Sequence, residues 1–524
     1  MAGVERTKQL LIFHHEINHN PFIMKILSLR GLRIILAVIF FLSITLLFLD
    51  FTGTVHAYLG WMAKIQFLPA LLALNVGVVV GLIVLTLLFG RIYCSVICPL
   101  GVMQDCFAWL GKKSKKNRYS YSPAKNILRW IMVALMAVAI VLGIGVFVAL
   151  FAPYSAYGRI VQAFLSPLWA WGNNFLAYWA ERSDSYAFYT VDVWMRGAVT
   201  MIVAGVTLAV LGFLAWRNGR TYCNTICPVG TVLGFFSKYS LFRPQIDTSK
   251  CNGCGLCARN CKSACIDSKT HTIDYSRCVD CMDCMEKCSK QAISYSLRRK
   301  KTEKDDAVSA KRAATVNDGR RQFLTVTALA GAAAAMKAQE KVDGGLAEIL
   351  DKKAPVRKTP IVPPGAQGIR NLTSHCTACQ LCVSACPNGV LRPSTDLGRL
   401  MQPESSYERG YCRPECTRCS DVCPAGAIKP ITVADKSSIQ IGHAVWVKEN
   451  CVPLTDGVEC GNCARHCPVG AIQMVLSDPG NEESVKIPVV NTERCIGCGA
   501  CENLCPARPF SAIYVEGHEN HRTI

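Results

Sequence analysis

Six times this chain sets four cysteines at short, repeated intervals, and that repeat leaves it few ways to fold. The pattern C-x2-C-x2-C-x3-C, or a near variant, falls on Cys251, Cys254, Cys257 and Cys261, and again on Cys278, Cys281, Cys284 and Cys288. It returns at Cys376, Cys379, Cys382 and Cys386, then at Cys412, Cys416, Cys419 and Cys423 with one extra residue in the first gap. Cys451, Cys460, Cys463 and Cys467 have a long first gap, and Cys495, Cys498, Cys501 and Cys505 close the set. Pro follows the last cysteine of the four later quartets, but Lys262 and Ser289 stand there in the first two. Thiols so close on one loop cannot all reach bridging geometry, which excludes a disulfide framework. Structural zinc would use C-x2-C pairs without the third cysteine.

The intervals are those of the bacterial ferredoxin run that holds [4Fe–4S] cubanes. Three thiolates on one loop take three irons, and the fourth cysteine serves the cluster of a partner quartet. Cys251, Cys254 and Cys257 are therefore expected to share a cluster with Cys288, and Cys278, Cys281 and Cys284 with Cys261. For the later four quartets, adjacent and nested partners fit the spacing equally. Six quartets predict six [4Fe–4S] clusters and use 24 of the 30 cysteines.

Of the six cysteines left over, four form a second repeat. Residues 90–101 read GRIYCSVICPLG and residues 219–230 read GRTYCNTICPVG. Cys94 and Cys98, like Cys223 and Cys227, are four apart and share a helix face, and the Pro marks a break. Two readings stand side by side. Either these C-x3-C-P motifs make a redox or metal contact near the inner membrane face, or Gly, Arg and Pro set the chain's exit and the thiols only pack. Cys106 and Cys265 read as bystanders.

Both copies close long apolar runs. Four stretches, 31–50, 68–90, 127–152 and 196–216, are long enough for a bilayer, which takes about 20 residues. Formal net charge is +20, yet residues 341–524 hold 19 basic and 19 acidic residues, so the excess lies wholly in the first 340. It flanks the apolar runs, which points to a membrane surface and not to nucleic acid. Arg6, Lys8, Lys25 and Arg30 precede the first run. Arg91, Lys112, Lys113, Lys115, Lys116, Arg118 and Lys125 separate the second from the third, and Arg217, Arg220, Lys238 and Arg243 follow the fourth. The other two loops hold Lys64 alone, and Arg159 and Arg182 against Glu181, Asp184 and Asp192. Basic residues near span ends stay cytoplasmic, so both ends of a four-span bundle are expected to face the cytoplasm. Residues 160–180, with Pro167, Gly172 and three Trp, predict an interfacial helix on the outer side, where Trp favours the headgroup level.

The expected architecture is an α-helical membrane bundle of four spans plus small α+β ferredoxin-like domains. Residues 1–245 form the membrane domain and 246–297 a cytoplasmic two-cluster module. Residues 298–365 form a basic and Pro-rich linker, and 366–524 a four-cluster module. The linker carries Arg320-Arg321-Gln322-Phe323-Leu324 before an alanine-rich apolar stretch, which resembles a twin-arginine export signal. That route carries folded proteins, which a module with clusters built in the cytoplasm would need in order to work outside. There is no C-x2-C-H for covalent haem, no pair of histidines deep in facing runs, and no G-x-G-x-x-G nucleotide fingerprint.

These features together resemble two components of the periplasmic nitrate reductase system, fused. Residues 1–300 resemble the NapH/NosR-like family in their four apolar runs, two C-x3-C-P motifs and two-cluster ferredoxin. Residues 318–524 resemble the MauM/NapG-like family in their twin-arginine leader and four quartets. The resemblance implies an inner-membrane quinol dehydrogenase. It would draw on the quinol pool and pass electrons through iron–sulfur clusters to a periplasmic reductase, most simply nitrate reductase, or to its small electron-carrier subunit. Fusion would fix the two parts at one to one. The quinol site is faintly marked: His56 in the first outer loop and Asp50 at the end of the first run are candidates. Two rival readings keep all clusters cytoplasmic, between a soluble donor and the quinone pool, or make the chain a non-enzymatic factor for redox sensing or metal-site assembly. In the transmembrane reading no cofactor is visible between the two modules except at the C-x3-C-P cysteines.

Overall fold

The computed structural model describes residues 28–114, 119–193, 197–298, 342–343, 347–348 and 350–524. Arg6, Lys8, Lys25, Lys115, Lys116, Arg118 and the twin-arginine segment lie outside the described residues.

The first apolar run is one helix, α1 (Leu29–Leu49), whose N-cap Ser28 accepts a bond from the Gly31 amide. One face buries Ala37, Ile44, Leu47 and Phe48, while Leu32, Ile35, Val38, Ile39, Leu42 and Leu46 are exposed. The second run is interrupted. Helix α2 (Phe67–Leu72) stops at Leu74, whose φ is 53°, and α3 (Val76–Phe89) restarts with the Asn75 side chain capping the Val78 amide. After Tyr93–Ile97, a π-helical turn, comes α4 (Pro99–Ser114). The third run also breaks. Helix α5 (Asn126–Val141) ends before Gly143 at φ 71°, and α6 (Gly145–Phe151) and α7 (Pro153–Ile160) follow. Helix α8 (Ser166–Arg182) holds exposed Trp169, Trp171, Phe175 and Trp179. The fourth run is continuous as α9 (Ala198–Asn218), and α10 (Pro228–Ser237) follows it.

Two helices, α1 and α9, are long and apolar enough to cross a membrane, with mean hydropathy 2.7 and 2.4. The stretches 68–90 and 127–152, expected as single spans, are not single helices. The last cysteine-rich region packs at each break: Gly426 lies beside Ala73, Ser374 beside Gly143, and Gln402 and Thr373 against Gly145.

Two cysteine-rich modules sit at opposite ends of the bundle. The first is closed by β1 (Phe242–Ile246) paired antiparallel with β2 (Ile293–Leu297), so it begins before the expected boundary at 246. It meets the start of α1 through Arg30 and Asp283, the end of α3 through Gly90 and Asp280, the start of α5 through Arg129 and Ser276, and the end of α9 through Gly219 and Lys262. The second module contains β3 (Ile439–Trp446), the hairpin β4 (Ile472–Leu476) and β5 (Lys486–Val490), and β6 (Ile513–Thr523), which pairs with β3. It meets the opposite ends of the same four helices. Leu381 and Ala425 join the core of α1, and Leu400 and Met401 pack with Val203 of α9. The contacts at the two breaks supply the rest. One continuous apolar core therefore contains Ile44, Phe48, Leu100 and Tyr157 of the bundle, Val279 of the first module and Cys379 of the second.

Residues 350–365 were expected to belong to a tether. They are instead a strap on the second module. Lys352 Nζ donates to the carbonyls of Glu502, Asn503 and Cys505, Arg357 pairs with Glu502, and Ile361 and Val362 are buried. The lysine satisfies carbonyls that a short helix end leaves without partners.

Candidate metal centres and a cavity beside them

In the first module the thiols gather round two cavities. Cys251, Cys254, Cys257 and Cys288 line one, and Cys261, Cys278, Cys281 and Cys284 line the other. This is the exchange of fourth cysteines that the spacing predicts. Each loop curls round its cavity through a residue of positive φ, Gly255 at 68° and Met282 at 62°, and a short helix then presents the later cysteines. Cys265 is buried in the second cavity, with its Sγ 3.5 Å from that of Cys261. Cys106 is exposed.

The second module resolves the pairing that spacing leaves open. Cys376, Cys379 and Cys382 share a cavity with Cys423. Cys412 and Cys419 are electrostatic neighbours of both Cys386 and Cys416. Cys495 and Cys498 neighbour Cys467, and Cys451 and Cys463 neighbour Cys505. Partners are thus adjacent in sequence, third with fourth and fifth with sixth. The Cys412 amide donates to the Cys498 carbonyl at 2.9 Å and joins the two pairs.

Burial pushes the Cys281, Cys379 and Cys498 thiols up to about 12. A bound metal would reverse that, because its positive charge deprotonates a coordinating thiol. None of the 30 cysteines is in a disulfide. The third-quartet set lies against the bundle, with the Cys379 carbonyl touching Gly158. Cys460 and Cys463 of the fifth quartet are half-buried.

The two C-x3-C-P motifs come together. Cys94, Cys98, Cys223 and Cys227 are all buried in the common core at the first-module end of the bundle. Asp50 and His56, singled out separately in the sequence, form a pair at the second-module end: His56 Nδ1 lies 3.0 Å from Asp50 Oδ2. Asp50 also accepts bonds from the amides of Thr52, Gly53 and His56. His56 Nε2 is buried without a partner.

Sequence reasoning missed a cavity of about 450 Å³ at that same end. Phe48 and Phe51 of the α1 end, Trp169 of α8, Tyr189, and Cys386 and Arg409 of the second module line it. Phe51 and Tyr189 meet edge to face, with ring centroids 5.9 Å apart. Its walls come from segments far apart in the chain, so no local pattern announces it.

Comparison with known proteins finds iron–sulfur domain models in both halves of the chain. A family model described as a 4Fe-4S binding domain matches residues 71–117 and 198–247. Those segments contain Cys94, Cys98, Cys106, Cys223 and Cys227 but none of the quartet cysteines. Two models described as 4Fe-4S dicluster domains match 274–390 and 457–508. The ferredoxin-type protein NapG of Escherichia coli is 34% identical over 205 residues, which cover 84% of it and 37% of this chain. The methylamine utilization ferredoxin-type protein MauM of Paracoccus denitrificans is 32% identical over 196 residues, 85% of it and 36% of this chain. The ferredoxin-type protein NapH of Haemophilus influenzae is 24% identical over 240 residues, 70% of it and 44% of this chain. Of other relatives the chain spans about half the length, from 43% to 58%. No solved structure matches.

Proposed function

Because this chain belongs to the ferredoxin-type family of NapG and MauM, here joined to a NapH-like half, we propose that it is a membrane-bound quinol dehydrogenase serving a periplasmic reductase. The observation that carries this reading is the placement of the six thiol quartets at two opposite ends of one bundle with a shared core. A carrier working on one side only has no use for that arrangement.

Four helix paths run between the modules, and we take all four as membrane spans. The exposed apolar faces of α1, α5 and α9 suit lipid, and the exposed Trp residues of α8 suit the headgroup level. Helix α3 has 14 residues and α5 has 16, about 21 and 24 Å at 1.5 Å per residue. The shorter α2 and α6 extend those paths beyond the breaks. Basic residues at the first-module end suit the cytoplasmic side, and on this reading the second module lies in the periplasm. Its twin arginines are the address for that export.

The 450 Å³ cavity is our quinol site. Its volume is that of a small-molecule pocket, Phe48, Phe51, Trp169 and Tyr189 offer ring faces in a wall that is otherwise mixed, and Arg409 and Asp192 supply polar contacts. It adjoins the Cys386 loop, so a quinol held there stands beside the second module. Oxidation of quinol to quinone releases two electrons and two protons. The Asp50–His56 pair at the same end can take a proton, the carboxylate stabilising the imidazolium that forms. Bound [4Fe–4S] clusters supply one-electron carriage; the chain's own part is to hold quinol, space the thiol sets and exclude water between them.

The test uses the full chain, purified anaerobically in detergent, with reduced quinol added. Cluster absorbance is expected to bleach, and to bleach more slowly in Trp169→Arg. Clusters that dithionite reduces but quinol leaves oxidised would sink the quinol reading. Protease added to intact spheroplasts is expected to digest residues beyond about 340 in the wild type and to spare them in the Arg320→Lys, Arg321→Lys variant. Protection in the wild type would put the second module in the cytoplasm and favour a soluble donor.

A further inference from the structure

The two C-x3-C-P motifs face each other with approximate two-fold symmetry, and the symmetry extends to the residues around them. In the first copy Cys94 lies in a π-helical turn and Cys98 caps its end. In the second, Cys223 lies in the short helix Thr221–Thr225 and Cys227 is the N-cap of α10. All four thiols are at most 5% exposed. Cys98 has Cys94 and Cys223 as electrostatic neighbours, and Cys227 has Cys223, Cys94 and Cys98.

Each motif's arginine reaches across to the other motif. Arg91 Nη2 lies 3.2 Å from the Cys223 carbonyl and 3.7 Å from Cys94 Sγ, and its Nη1 donates to Asn224 Oδ1 at 2.9 Å. Arg220 Nη1 donates to the Cys94 carbonyl at 2.5 Å. The glycine of each motif is needed for this crossing. A Cβ on Gly101 would stand 2.2 Å from the Cys94 carbonyl oxygen, and one on Gly230 2.2 Å from that of Cys223. Bulk at either position would separate the thiols from the arginines.

Charge shows that the site is incomplete as protein alone. Arg91 and Arg220 are both fully buried. Arg220 shares Asp105 with two other cations. Among the described residues no carboxylate forms an ion pair with the Arg91 guanidinium, and Arg91 Nε and Arg220 Nη2 are buried without partners. Asp280 lies in electrostatic reach of Arg91 and accepts from its backbone amide at 2.9 Å, but it does not bond the guanidinium; the buried, unpartnered N–H groups beside the thiols are what call for an anion. Four neutral thiols do not supply one. Four thiolates round a doubly charged iron–sulfur core leave about two negative charges, enough to balance both guanidiniums. Among the described residues no three His, Cys, Asp or Glu side chains close on a single ion, here or in the quartets.

Position agrees with chemistry. On one side, Cys281 of the first module packs against the same core. On the other, Tyr222 donates to the Phe151 carbonyl at 3.0 Å, and Arg159 has both Tyr222 and Cys379 as electrostatic neighbours. We propose that Cys94, Cys98, Cys223 and Cys227 together ligate a seventh iron–sulfur cluster, seated in the bundle between the two modules. The site stands or falls independently of the quinol reading.

Native mass spectrometry of the full chain, purified anaerobically, tests it together with iron, sulfide, zinc and copper analysis. The wild type is expected to carry one cluster more than its six quartets account for. The Cys94→Ser, Cys223→Ser double variant is expected to lose that one cluster, two or four irons with matching sulfide, while Cys106→Ser loses none. Retention of the quartet clusters' paramagnetic signals in the double variant shows that it folds. If it does not fold, the wild-type mass still decides: six clusters and no more would overturn the proposal. So would one zinc or copper per chain in place of the extra iron.

Discussion

The two ferredoxin modules share their loop spacing and their exchange of fourth cysteines, yet they are fixed to the bundle by opposite means. The first is held by charge. Asp105 of α4 takes Arg33, Arg220 and Lys262 at 2.5, 2.7 and 2.8 Å, and Asp283 takes Arg30 at 2.7 Å and Lys262 at 3.4 Å. Burial opposes the Asp105 charge, but Arg220, Lys262 and Arg33 hold its carboxyl well below the usual range. The second module is held by shape. Cys379, Leu381 and Ala425 enter the bundle core, and among the described residues no ion pair joins this module to the bundle. A charged joint suits the end rich in basic residues, and an apolar joint must be dry and close-fitting. The contrast also explains why Lys262 stands where the later quartets have Pro. Its ammonium is the link between Asp105 and Asp283, and Pro has no such group.

The largest effect comes from breaking what the modules have in common. Cys261→Ser is expected to destroy the cluster held by Cys278, Cys281 and Cys284, and Cys423→Ser the one held by Cys376, Cys379 and Cys382. Low-temperature paramagnetic resonance reads both; damage confined to a residue's own quartet would refute the pairing. Next is the charged joint. Asp105→Asn leaves three cations facing one another and is expected to cost about 3–5 kcal/mol, seen as an earlier unfolding step of the first module alone. An equal loss in the second module would erase the contrast. The apolar joint should yield to bulk. A Cβ at position 158 would lie 2.4 Å from the Cys379 carbonyl oxygen, so Gly158→Leu is expected to cost about 1–3 kcal/mol and to open the second module to protease while the first stays protected.

The smallest effect concerns acid. Burial, with His518 nearby, lowers the His521 imidazole to about 4. The folded second module thus favours the neutral ring. Its contribution is complete above about 6.5, the unfolded value, and is lost as pH falls towards 4. The drop from 6.5 to about 4 caps the loss over that window at about 3 kcal/mol; solvent screening of this half-buried ring leaves about 1–2 kcal/mol of it in the wild type, and less in His521→Gln. Melting curves at fixed pH, compared between the two proteins, would measure it.

Much of this was open to reading from the sequence, for physical reasons that differ by region. Quartets are legible because a cubane is held by residues a few positions apart, so the spacing carries the geometry. The adjacent pairing in the second module was not legible, because it depends on which loops pack together, Cys423 with the third quartet and Cys505 with the fifth, and no spacing encodes that. The breaks at Leu74 and Gly143 interrupt runs that are apolar almost throughout. Asn75 and Gly143, a helix cap and a left-handed turn, were the signals available there. Cys265 was passed over because it belongs to no repeat. Asp50 and His56 were each noted, but only the turn after α1 shows them to be one pair.

The interrupted helices have an electrical consequence. In the proposed membrane setting, the second module sinks into the bundle at the two breaks, so the insulating septum is set by α3, about 21 Å, and not by a bilayer core of about 30 Å. The whole membrane voltage then falls across a thinner layer. A charge carried from one module to the other works with or against about 2.3 kcal/mol per 100 mV, whatever the thickness, but the narrower gap shortens the distance over which it must be passed. The energised state of the membrane would thereby bias which way current flows through the chain.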